Sequence, residues 1–148
     1  MKPLVYVAGA YSADDLEQVE LNVAKALDAG DRLEDSGLVF AVIPHLSHFR
    51  HGRKPRDYEH WMAADFALLA RCDALLRMPG PSRGADREVA KATALCLPVF
   101  WTEAEALSWA GCPGCVKRWP YDGGGADGFG WHLEPGTTTC HRCTRRIP

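Results

Sequence analysis

Two acids stand at spacings that could carry chemistry. Glu88 closes the octet 81–88, PSRGADRE, which follows an apolar run at 74–78 and precedes a helical pattern at 89–97. A strand, a small-residue loop and a helix start, in that order, form an anion cradle. Gly84 relaxes the backbone, and the free N–H groups of the first turn, with the helix dipole, favour negative charge beside Ser82. An acid about one turn into that helix is electrostatically awkward there. Its ordinary explanation is that Asp86 and Glu88 favour a helix N-terminus. Asp65 is the second oddity. In the helical pattern 58–72 it shares a face with Trp61 and Leu68, and a buried carboxylate without a partner is costly. The plain alternative puts it at the margin of the stripe, paired with Arg71 or a loop arginine.

Cysteine supplies the other constellation. From Gly111 onward, helix and strand periodicity stop, and the segment carries Cys112-Pro-Gly-Cys115 and Cys140-His-Arg-Cys143, 24 residues apart. Two CxxC knuckles at this spacing suit one tetrahedral structural zinc held by Cys112, Cys115, Cys140 and Cys143, with a redox dithiol or disulfides as the other options. His141 lies inside a knuckle as a bystander. Lys117, Arg118, Arg142, Arg145 and Arg146 offset the thiolate charge; a nucleic-acid contact there is the less favoured reading. His45 and His48 have no neighbours to complete a metal set.

The elements that must position these groups alternate. Residues 4–8, LVYVA, read as a buried strand. Ser12 or Asp14 can cap a helix striped by Leu16, Val19, Val23, Ala26 and Leu27, with Gly30 as its stop. A second strand follows at 38–43, then a basic, histidine-rich loop at 44–57 that faces either solvent or substrate. Next come the helix 58–72, a strand 74–78, the octet and its helix, a strand 98–101, and a short helix 103–110 capped by Thr102. Cys72 and Cys96 fall in helices and pack as small apolar groups. Strands alternating with helices predict an α/β doubly wound domain at 1–110 with a parallel sheet and right-handed crossovers, followed by a four-cysteine zinc-ribbon segment at 111–148.

The chain has 148 residues and a formal net charge of −2, which argues against wholesale attraction to nucleic acid or membrane. It has no membrane-length apolar run and no secretory signal pattern, so a cytoplasmic protein is expected, and six cysteines suit that compartment as thiols or metal ligands.

VYVAGAYS, HWMAADFALLARCDALL and PSRGADREVA…LPVF together resemble the nucleoside 2-deoxyribosyltransferase-like superfamily, most closely its 2′-deoxynucleoside 5′-monophosphate N-glycosidases and related phage-type proteins. The resemblance covers roughly residues 3–101 and leaves the cysteine segment outside. It implies a flavodoxin-like sheet, a homodimer, no organic cofactor, and cleavage of a base–sugar bond. Glu88 would attack C1′ of the sugar, and Asp65 would position the sugar or protonate the base. Ser82 and Gly84, with Arg83 between them, would hold the 5′-phosphate. Tyr6, Gly9 and Tyr11 would line the pocket. Such cleavage passes through a cation-like sugar that one carboxylate traps while a second carboxyl supplies a proton.

Two departures stand out. Gly9-Ala10 replaces the usual Gly-Pro or Gly-Ser, and Asp86 occupies the place of a second loop glycine. Asp86 must then be offset by Arg83 or Arg87, or point to solvent. The expected function is an N-glycosidase on (deoxy)nucleoside 5′-monophosphates. A deoxyribosyltransferase on free nucleosides and a non-catalytic nucleotide-binding module are the alternatives.

Overall fold

The computed structural model describes residues 1–112. The α/β expectation is met: a four-stranded, all-parallel sheet of order β2-β1-β3-β4 lies between two helical layers. Its strands are β1 (Leu4–Ala8), β2 (Phe40–Val42), β3 (Ala74–Arg77) and β4 (Val99–Phe100). The helices are α1 (Leu16–Asp35), α2 (Ser47–Arg53), α3 (Tyr58–Leu69), α4 (Arg83–Ala94) and α5 (Glu103–Ala110).

Strand alternation divides the core. Val5, Val7, Ala74 and Leu76 join Ala26, Leu33, Phe100 and Trp109 on the α1/α5 side. Tyr6, Ala8 and Leu75 join Leu69, Ala85 and Ala92 on the α3/α4 side. The same period of two turns Tyr6 towards α4, where Glu88 sits. Cys112 is buried in the α1/α5 cluster.

Several boundaries differ from expectation for identifiable reasons. Asp15, rather than Ser12 or Asp14, caps α1 by accepting the Gln18 N–H at 2.7 Å. Leu16 lies on α1 but is exposed, outside the buried stripe of Val23, Ala26, Ala29, Gly30 and Leu33. Gly30 does not stop the helix, which runs on to Asp35. It serves a close approach instead: a Cβ there would come within 2.3 Å of Ile43 Cδ1. The stop comes at Ser36, followed by Gly37 at a φ of +72°.

The loop expected at 44–57 is largely helical. A 3₁₀ turn at Pro44–Leu46 passes directly into α2. No α2 side chain is buried, so no apolar period announced it, and it ends at Lys54, held extended before Pro55. Helix α3 ends at Leu69, leaving Cys72 beyond it, buried; Cys96 lies beyond α4, exposed, at a φ of 57°. Neither is helical, and only Cys72 packs as expected. Helix α4 begins at Arg83, six residues before the periodic pattern, because the octet itself supplies its first turns. Thr102 caps α5 with a capping box to Glu105, as its sequence predicts.

Among the described residues no helix is long and apolar enough to cross a membrane.

Candidate active site

The carboxyl ends of β1 and β3 open onto a cleft of about 680 Å³, in the range of small-molecule sites. In a parallel sheet this is the ligand side. Three walls meet there.

The first wall is the loop into α4. Ser82 takes the N-cap position, its Oγ accepting the Ala85 N–H at 3.2 Å. Its hydroxyl also donates to the Gly9 carbonyl at 3.4 Å, tying the loop to the end of β1. Gly9 packs closely: a Cβ there would stand 2.9 Å from Met78 Sδ, so the methionine side chain would have to shift. Arg83 and Gly84 complete this edge of the cleft.

The second wall is α3. Tyr58, Trp61, Met62 and Asp65 line the cavity at helical spacing. The core-facing positions are Met62 and Leu69, while Leu68 is exposed, so the apolar face lies one position from that expected. Asp65 makes no ion pair among the described residues. Arg71 instead donates to the Ala67 carbonyl. Burial pushes the Asp65 carboxyl up to about 6.

The third wall is the segment after β2, where Pro44, His45, Ser47, His51 and Arg56 reach the cleft. His45 is buried, with Nε2 3.0 Å from the Ala10 carbonyl. A carbonyl only accepts, so that nitrogen carries the proton. Burial lowers the pKa of this histidine, favouring the neutral ring. Tyr11 lines the cleft beside it, its hydroxyl 3.1 Å from His48 Nδ1. Trp61 Nε1–H donates to His51 Nδ1 at 2.8 Å, which leaves Nε2 as the N–H of a neutral His51.

Glu88 lies at the floor, 5% exposed. Tyr6 does not form the wall; it is fully buried behind Glu88, and its hydroxyl donates to Oε1 at 2.6 Å. Burial is the main reason the Glu88 carboxyl rises to about 7; the Tyr6 hydrogen bond lowers it, the Asp65 charge raises it and Arg77 lowers it. The Tyr6 phenol is raised, first by burial and then by the Glu88 charge, so it stays a donor.

The structure therefore brings together Glu88, Asp65, Gly9, Tyr11, Ser82, Arg83 and Gly84 around one cavity, with Tyr6 behind it. Of the four metal-ligand candidates, Cys112 is buried against the core, and Cys115, Cys140 and Cys143 lie outside the described residues.

Asp86 is resolved differently from either expected partner. It pairs with Arg77 at 3.0 Å, while Arg87 pairs with Glu59 at 2.8 Å. Arg77 is 5% exposed, and its guanidinium also donates to the carbonyls of Met78 and Gly80. A buried arginine at a strand end thus pins the loop and faces the Asp86 carboxylate. The apolar run around Arg77 hid it, and the charge of Asp86 nine residues on was the signal that could have found it.

No model of a known protein family matches the chain, and no curated protein does.

Proposed function

We propose that the protein is an N-glycosidase that cleaves the base–sugar bond of (deoxy)nucleoside 5′-monophosphates. The observation that carries this reading is one cleft holding two carboxyls raised by burial, Glu88 and Asp65, beside the Ser82–Gly84 helix start. The Glu88 carboxylate attacks C1′, and the C1′–N electron pair leaves with the base. Asp65, as the acid, protonates that nitrogen. Water then attacks C1′ of the glycosyl ester, giving its proton to the Asp65 carboxylate and releasing Glu88. The Tyr6 hydroxyl orients Glu88 and stabilises its charged form. The Ser82 loop takes the phosphate. Arg77 supports a phosphate over a free 5′-hydroxyl, because its pair with Asp86 offsets part of the charge that would oppose one.

The experiment is a panel of nucleosides and their 5′-monophosphates assayed for free base by chromatography. Release from monophosphates in preference to nucleosides supports the reading. Preference for nucleosides, with a second base as acceptor, would make it a transferase. Thermal stabilisation by nucleotides without base release would make it a binding module.

A further inference from the structure

We propose that the segment from α2 to the start of α3 is a second phosphate-binding surface, so that the ligand of this cleft carries two or more phosphates. The inference rests on reading the cleft as a nucleotide site. It goes beyond the 5′-phosphate loop, which lies at the start of α4.

Within seven residues the chain places Arg50, Arg53, Lys54 and Arg56, all exposed, with no acid among them. Among the described residues none of the four makes an ion pair. Of the acids that follow the segment, Glu59 pairs with Arg87 at 2.8 Å and Asp57 caps α3, accepting the His60 N–H at 2.7 Å. One cation in its last turn would satisfy the end of a helix as short as α2; four exceed that need.

The cluster is also joined to the cavity. Arg56 and His51 line it, and His51 turns an N–H donor, not an acceptor, away from Trp61. The Arg50 guanidinium sits 5.7 Å from the centre of the Trp61 ring, itself a cavity wall. Exposed Phe49 adds an aromatic surface beside these cations. Cations interleaved with rings suit a phosphate chain leaving a site that holds a base. The net charge of −2 makes this local excess stand out further. Two ligands share the required chemistry: a nucleoside polyphosphate, extended at its 5′ end, and a short single-stranded oligonucleotide, extended through phosphodiesters.

The test uses the full chain as Glu88→Gln, which holds ligand without turnover. For each of the four bases, the 5′-monophosphate, the 5′-triphosphate and the 5′-phosphorylated homotetranucleotide are titrated at several salt concentrations. At least one multiply phosphorylated ligand should bind about tenfold more tightly than its monophosphate at low salt. Its affinity should fall more steeply with salt, by roughly 0.7 in log–log slope per additional phosphate engaged on a single strand. A gain confined to the triphosphate identifies the polyphosphate; a gain confined to the tetranucleotide identifies the oligonucleotide. Reversing charge with Arg53→Glu and Lys54→Glu should remove most of the gain. Equal affinity across all three ligands for every base would overturn the proposal, as would a gain that survives the reversals. Tight multi-phosphate binding by a wild-type chain that releases no base would refute the glycosidase and leave this surface standing. Base release from monophosphates without any gain would do the reverse.

Discussion

Glu88 is held in a conflict between burial and charge. Its carboxyl, raised to about 7 by burial, keeps its proton in the folded state over a range where the unfolded chain has lost it. The associated stability is fully present below the unfolded value of 4.5 and is lost as pH rises through about 7. A shift of this size corresponds to roughly 3 kcal/mol. Glu88→Gln accepts the same Tyr6 hydrogen bond without a charge to bury. It should therefore melt at or above wild type at pH 8, with the difference closing below pH 5, while base release is abolished. Melting curves at both pH values, with an activity assay, check this; near wild-type turnover by the variant would end the nucleophile assignment. The proposed mechanism needs Glu88 ionised and Asp65 protonated, and burial raises their carboxyls to about 7 and about 6. The pH profile should be a narrow bell between those values, its limbs belonging to the interacting pair. Asp65→Asn should flatten the alkaline limb and cost least on bases that leave readily. An equal loss across leaving groups would give Asp65 a sugar-positioning role instead.

At the scale of elements, two close approaches support the site. Gly30 brings α1 against Ile43, at the entrance to the histidine-bearing segment. Gly30→Ala should cost up to about 2 kcal/mol, overpacking of roughly 1–3 kcal/mol being offset by about 1 kcal/mol of helix propensity, and Ile43→Val, which removes the clashing Cδ1, should recover part of that in a double-mutant cycle. Additive losses in denaturant titrations would show that the contact is not the cause. The Arg77–Asp86 pair joins β3 to α4. Its carboxylate is two-thirds exposed, so water screens the attraction, and Asp86→Asn should cost only about 1 kcal/mol. Arg77→Met frees the Met78 and Gly80 carbonyls and the Asp86 charge together. It should raise KM for a monophosphate at least tenfold and change KM for the nucleoside much less. Equal rises for both substrates would assign Arg77 to general stability alone.

At the scale of the whole molecule, Cys112 packs in the same buried cluster as Phe100 and Trp109. A zinc held by Cys112, Cys115, Cys140 and Cys143 would therefore tie the last segment directly to the core. About one zinc per chain is expected, the content of a single four-cysteine site. Chelation should lower the melting temperature before it removes base release, because Cys112 lies in the α1/α5 cluster, on the other face of the sheet from Tyr6. A chelated protein that melts unchanged would refute the ribbon.

The sequence by itself determined the elements whose signals are local. β1 appeared at its observed bounds because its apolar run is continuous, and α5 because Thr102 and Glu105 form a cap within one turn. Glu88 and Asp65 were visible as charges where apolar or anion-binding patterns made charge expensive. What only the tertiary structure decided was non-local. Helix α2 buries no side chain and so carries no period. Gly30 resembles a helix stop until Ile43 arrives from elsewhere in the chain. Asp86 found Arg77 on another element, and Tyr6, 82 residues away from Glu88 in sequence, became its hydrogen-bond donor. Partners of this kind are chosen by which strand faces meet which helices, and a linear pattern records the face of each element but not what that face will meet.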